Sequence, residues 1–247
     1  MDQILRLRAA YVPVRRDERH LQLGVDPPHR AVVPDTADVR RLLADLTVGL
    51  TAPPTTLVAR RALQTLREAG LVVAGPAAMP AATLDGPTPL TDALRALLPS
   101  AGPAGPEIVV LLSDGPLSRE RTDPLVRADT PHLVVEGGPD AWTIGPLVVP
   151  GVTACLRCVD AALGERDPRR ALVLDQLARH HPQPRPDPLL QAVALPWAAR
   201  ELLAYAAGDR PTTWSATWTI GRSGPPDLRS WPRHPHCGCV WDQLAYR

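Results

Sequence analysis

Apolar and polar positions alternate at the start of the chain. Leu5 and Leu7 stand against Arg6 and Arg8, and Leu21, Leu23 and Val25 alternate again, so both stretches predict strands. Asp26-Pro27-Pro28-His29 reads as a turn and residues 30–33 as a third strand. The period then changes. Val39, Leu42, Leu43 and Leu46 fall at i, i+3, i+4 and i+7, one face of a helix that Thr36 caps. After Pro53-Pro54, Thr55 or Thr56 caps a second helical stretch with Leu57, Leu63 and Leu66 as its apolar positions and Gly70 as its stop. Arg60-Arg61 leaves open whether this is one helix or two. Strands followed by helices, closed by residues 71–73, give residues 1–75 a winged-helix-like order.

Residues 76–106 are mostly Ala, Gly, Pro, Ser and Thr, with one short helical candidate at 92–98, and read as a linker or remnant. Residues 107–112 (EIVVLL) form a continuous apolar run, as in a strand buried on both faces of a parallel sheet. The turn Ser113-Asp114-Gly115, a helix near 118–128 and an apolar strand at 132–135 complete a strand–helix–strand unit. Residues 142–149 predict a hairpin, and 159–180 are helix-rich. Residues 183–188 are a proline loop, 189–208 a helix, and 212–220 a strand with Trp214 and Trp218 on one face. The expected class is α/β (α+β overall).

Composition narrows the function. The 247 residues carry 27 Lys+Arg against 26 Asp+Glu, a net charge of +1. That balance argues against coating nucleic acid or an anionic membrane. Residues 1–75 hold a local excess of three positive charges, too diffuse to form a basic stripe. The chain contains no Lys, so no mechanism can use a lysine as Schiff base or phosphate clamp. The N-terminus shows no signal peptide, and Pro196, Arg200 and Glu201 interrupt the longest apolar stretch. A soluble, cytoplasmic protein is the expectation.

The strongest chemical signal is Cys155-x-x-Cys158 with Cys237-x-Cys239. Two knuckles of this kind bring four thiolates to one tetrahedral ion with no position left for water, which points to structural zinc. The alternatives are a redox CxxC at a helix N-terminus, with the CxC unexplained, or four unrelated buried thiols. His234 and His236 flank the second pair as outer partners or substitute ligands. Elsewhere the chain lacks a GxGxxG or Walker pattern, and no nucleotide is expected. Asp114 with Arg119 and Arg121 could hold magnesium and phosphate, or Asp114 could cap the next helix beside two solvated arginines. Ser113, Ser118 and Ser215 lie in no nucleophile elbow, and His180-His181 complement a helix end. An exposed third strand beside a helix is also a docking edge for an extended peptide.

The segment from Glu107 through GPLVVPGVTACLRC, closed by SWPRHPHCGC, resembles the second half of the ThiF/ubiquitin-activating-like fold. More narrowly, it resembles the ThiF-like, leader-peptide-binding partner proteins of YcaO-type peptide cyclodehydratases. HLQLGVDPPHRAVVPDTADVRRLL resembles the start of their recognition element. The resemblance implies a recognition element at 1–75 and a degenerate, non-adenylating zinc domain at 107–247, with 76–106 as a linker or the remnant of a nucleotide-binding half. It implies a non-catalytic subunit that binds the leader of a ribosomally made precursor and docks a YcaO-type enzyme or a second copy. The leader would engage Arg30, Val32 and Val33 on the strand and Arg60, Leu63 and Arg67 on the helix; Cys155, Cys158, Cys237 and Cys239 would hold zinc. The competing classes are a trimmed adenylating or sulfur-transfer enzyme and a winged-helix DNA-binding regulator with a metal site.

Overall fold

A computed structural model describes residues 4–8, 10–74, 79–99, 104–179 and 187–239, and the chain divides into two compact units, Met1–Ala77 and Ala78–Arg247. In the first, β2 (Val14–Arg15), β3 (His20–Leu23) and β4 (Ala31–Pro34) form an antiparallel sheet in that order. β1 (Leu5–Leu7) pairs instead with β5 (Val72–Ala74). Helix α1 (Ala37–Val48) starts at Thr36, whose hydroxyl accepts the Val39 N–H at 3.4 Å. Helix α2 (Leu57–Glu68) starts at Thr56 and runs unbroken through Arg60-Arg61. It ends in a paired cap: Gly70 N–H donates to Arg67 O and Leu71 N–H to Leu66 O, both at 2.9 Å. Gly70 needs its φ of +63° to make that turn. Leu21, Leu23, Ala31, Val33, Leu46 and Leu66 are among the core side chains. Leu57 is not: it is 62% exposed at the first helical position.

The second unit is built on a six-stranded sheet in the order β11-β10-β9-β8-β7-β6. β6 (Met79–Asp85), β7 (Ala104–Ser113) and β8 (His132–Gly137) run parallel; β9 (Ala141–Val148), β10 (Ala216–Gly221) and β11 (Asp227–Ser230) continue antiparallel. Residues 79–99, expected as linker or remnant, supply the edge strand β6 and helix α3 (Thr88–Leu97). Their small residues hid a strand, and Leu90 and Leu94, one turn apart, are its buried helical partners. The expected hairpin at 142–149 is one strand, β9, between β8 and β10. Helix α7 (Pro188–Ala206) packs with α3 on one face of the sheet. On the other lie a 3-10 turn (Arg119–Arg121), α4 (Asp123–Arg127) and α5 (Leu156–Gly164), followed by α6 (Arg170–Arg179). The His180-His181 pair and most of the proline loop lie outside the described residues. No helix of the described residues is long and apolar enough to cross a membrane.

Buried polar groups fix this sheet. Glu201, 3% exposed on α7, accepts from Thr212 Oγ1 at 2.6 Å, Thr213 N at 2.8 Å and Thr213 Oγ1 at 2.9 Å. His132 is fully buried at the head of β8. Its Nδ1 lies 2.9 Å from Thr130 O, so Nδ1 carries the proton, and Nε2 has no partner among the described residues. Burial lowers the His132 pKa below 6.5, outweighing the Thr130 hydrogen bond. The folded unit therefore holds His132 neutral, while the unfolded chain takes up a proton below pH 6.5. Stability should be fully present above that pH and fall as the pH is lowered. Urea unfolding at pH 7.5 and 5.5 should show a smaller acid loss in His132→Leu than in the parent; equal losses would contradict this account.

Candidate functional site

The first candidate site is the free edge of β4. Asp35 N donates to Arg19 O at 2.7 Å, and Leu21 faces Val33 in register. Odd-numbered β4 residues therefore bond to β3, and the backbone N–H and C=O of Arg30 and Val32 face away from it. Pro34 ends that outward row without a donor. Among the described residues, no strand covers this side. The side chains divide by the pleat: Arg30 is exposed, Val32 half-buried, and Val33, at 1% exposure, belongs to the core.

Helix α2 has two rims, and only one faces β4. Arg60 turns back onto the preceding loop, donating from Nε to Pro54 O at 3.0 Å and from an Nη to Thr55 O at 2.8 Å. Leu63, 6% exposed, and Arg67 line a hollow of about 280 Å³ with Leu5, Leu50 and Pro53. Arg60, Leu63 and Arg67 thus share the rim toward the 50–55 loop. The opposite rim carries Val58, Ala62, Thr65 and Ala69, at i, i+4, i+7 and i+11. It leads to β4: His29, just before the strand, donates from Nδ1 to Ala69 O at 3.0 Å, and α2 packs along β4. Val58, 40% exposed, and exposed Thr65 lie on this rim, with exposed Arg61 beside them on the helical wheel. The structure therefore does not bring Arg60, Leu63 and Arg67 together with the edge of β4. The spacing from Leu63 and Leu66, read around the wheel, held the information.

The second candidate site is the cysteine cluster. β9 ends in a turn at 149–153, locked by Thr153 Oγ1, which accepts Val149 N at 2.8 Å. Ala154 N donates to Ser215 Oγ at 2.9 Å, which leaves Cys155 as the N-cap of α5 and Cys158 in its first turn. The second knuckle hangs from buried Trp231, whose Nε1 donates to Thr217 Oγ1 at 2.9 Å; Gly238 turns the chain between its cysteines. The four sulfurs lie within 4.8 Å of one another, Cys158 being 3.2 Å from Cys237, 3.6 Å from Cys239 and 3.7 Å from Cys155. A tetrahedral ion with metal–sulfur bonds of about 2.3 Å sets its ligands about 3.8 Å apart. The cluster could therefore hold a metal ion with little rearrangement.

Its protons are already shared. Hydrogen bonding with Cys155, then Cys239, holds the Cys158 pKa far below the thiol range, and the same contact with Cys158 drives the Cys155 pKa far up. Burial and the Cys239 contact push Cys237 up to about 12. A divalent cation bound there would displace protons from the thiols that it takes as ligands. The CxxC does open a helix, as a redox motif would, but the CxC converges on it. His234 is not a ligand: Nδ1 accepts His236 N at 3.2 Å, so Nε2 donates to Glu165 Oε1 at 3.0 Å.

The Asp114 group does not assemble. Asp114 makes no ion pair or cap among the described residues, and Ser118 stands at the N-cap position of the 3-10 turn. Arg119 is not solvated: at 16% side-chain exposure it binds Asp160 at 2.6 and 2.8 Å and Glu136 at 3.2 Å. Arg121 pairs with Asp85 at 2.9 Å. Removing Arg119 leaves two half-buried carboxylates facing each other without a cation. Arg119→Ala should cost about 2–3 kcal/mol in denaturant unfolding, against less than about 0.5 kcal/mol for Asp114→Ala.

No protein-family model and no curated protein matches the sequence. Solved structures do match its fold. The heterocyclase TruD superposes with a TM-score of 0.67 at 17% identity, over 95% of this chain and 42% of TruD. A heterocyclase in complex with substrate and cofactor gives 0.66 at 16% identity, over 96% and 39%. MccB of E. coli with AMPCPP and MccA gives 0.57 at 12% identity, over 96% of this chain and 99% of MccB. The chain thus spans about two fifths of the heterocyclases it matches. The expected α/β class holds, with a fold similar to that of MccB.

Proposed function

We propose that this chain is a recognition and scaffold subunit. It binds the leader of a ribosomally synthesised precursor peptide along β4 and presents it to a separate YcaO-type cyclodehydratase that forms azolines and azoles. The observation that carries this reading is the outward row of backbone groups at Arg30 and Val32 beside the α2 rim of Val58, Arg61 and Thr65. An extended peptide adds there as a fourth strand, and Arg30 and Arg61 favour an acidic one. The fold is shared with a heterocyclase and with MccB, whose structure contains MccA; this supports a role in making modified peptides.

The reading assigns no catalysis to the chain. Open α/β sheets take their ligands at the carboxyl ends of the strands. Here that end of β6–β8 carries the chain's own ion pairs, Asp85 with Arg121 and Arg119 with Glu136 and Asp160. Gly86 is pressed against the neighbouring strand, and a Cβ there would come within 2.6 Å of Leu112 O. The AMPCPP in MccB favours the competing reading, an adenylating enzyme. Peptide-stimulated pyrophosphate exchange by the purified chain decides between them, and none is expected. The four thiolates are assigned to structural zinc, which when bound would fasten the two knuckles and activate no water.

Val32→Pro removes an outward donor without touching the β3–β4 ladder, so it should weaken binding of the cognate leader to the full chain about tenfold while leaving the fold intact. Arg61→Glu should also weaken it, more at low salt, and Arg67→Glu on the far rim should not; calorimetry reads all three, and equal losses at both rims would contradict the assigned groove. Protein purified without chelator should carry about one zinc per chain by elemental analysis. Cys158→Ser should lower zinc content and melting temperature together without changing leader affinity.

A further inference from the structure

The chain has six Trp, three Tyr and no Phe, yet two indoles meet at the surface of the second unit. Trp197 of α7 and Trp218 of β10 lie with ring centroids 4.7 Å apart, both half-buried. Leu228 of β11 stands directly opposite Trp218 in register, on the same face of the sheet, and is 45% exposed. Val193 and Leu189 precede Trp197 by one and two helical turns and are 48% and 77% exposed. Register and helical period thus join these five side chains into one apolar strip where the end of the sheet runs out beyond α7.

The aromatic pair is held in place from below. Trp218 Nε1 donates to Thr212 Oγ1 at 2.8 Å, and Thr212 Oγ1 donates in turn to buried Glu201 at 2.6 Å. The indole N–H is satisfied, its rotamer is fixed, and the ring presents carbon outward. A rigid, half-buried Trp that loses little freedom on contact is the kind of residue that dominates interface energies. At one end the strip is closed by Arg222, 3.5 Å from both Asp140 and Asp187. At the other, Arg200 is exposed one turn beyond Trp197 and has no ion pair among the described residues. An unanswered cation beside an apolar anchor calls for a carboxylate on the partner. A second copy would instead bring a second Arg200 to the same strip.

We propose that the strip formed by Leu189, Val193, Trp197, Trp218 and Leu228 docks a separate protein chain, the modifying enzyme, through an apolar anchor with a carboxylate at its side. This rests on the proposed function and adds to it the surface used.

The test uses the full chain and the YcaO-type enzyme encoded with it, with leader affinity measured in parallel. Val193→Glu and Leu228→Glu alter exposed positions and should each weaken enzyme binding about tenfold or more. Arg200→Glu should weaken it severalfold, with a flatter salt dependence than the parent. Leu172→Glu, an exposed apolar position on α6, should change nothing. Leader affinity should be unchanged in all four. Enzyme binding within twofold of the parent in Val193→Glu and Leu228→Glu overturns the proposal, as does a parent that binds leader but not enzyme. A parent that sediments as a dimer and a Val193→Glu variant that sediments as a monomer would make the occupant a second copy, which also overturns it. Failure of the parent to bind leader strikes the recognition reading instead, and is seen separately.

Discussion

The second unit depends on the convergence of four sulfurs contributed from positions 82 residues apart. Cys155 and Cys158 follow β9 directly, whereas Cys237 and Cys239 follow the last strand, β11. Everything between them, from α5 through the sheet edge, is a loop closed at that point. Closing a long loop costs chain entropy, and here both the β9–β10 pairing and the sulfur cluster lie at the closure. A small apolar group, Val148, Ala154, Val159 and Trp231, packs around it. Its polar supports, Ser215 to Ala154 and Thr217 to Trp231, both come from β10 and its approach, so the cluster is also braced against the sheet.

The two units were legible to different degrees in the sequence. In the first, the alternation of Leu21, Leu23 and Val25 and the helical spacing of Val39, Leu42, Leu43 and Leu46 are two unlike periods that cannot be confused. Thr36 and Thr56 mark the starts by side-chain hydrogen bonds to Val39 N and Ala59 N. The segment 79–99 was hard to read because its strand has few branched apolar residues; its pairing with β7 comes from position at the sheet edge, which no local pattern records. The apolar run in β9 carried no sign that, besides its neighbour β8, it would pair with β10 from beyond α7.

The candidate sites follow the same division. Cysteine spacing announces convergence, because a thiol is rarely repeated by chance at two and one intervening residues. Groove residues carry no such mark. Val33 and Leu63 went to the core because the inward face of a small unit claims its large side chains first. Arg60 went to the Pro54 and Thr55 carbonyls, which a loop holding two prolines leaves without backbone partners. Arg119, read as a solvated charge, is instead a cation shared by two carboxylates, one of them 41 residues away, a relation visible only in three dimensions.

The proline at the end of β4 has a consequence for how a guest strand would be read. With Pro34 silent as a donor, the free edge offers two complete donor–acceptor positions, Arg30 and Val32, spaced one pleat repeat apart. So short a rung pattern looks alike to almost any extended backbone. It can hold a guest but cannot tell one guest from another, nor fix its frame against a shift of two residues. Discrimination must then fall to the helix rim, where Val58, Arg61 and Thr65 differ in size, charge and polarity. Grip and choice are thereby placed on separate elements, and the rim could change its preference by substitution while the strand kept its hold.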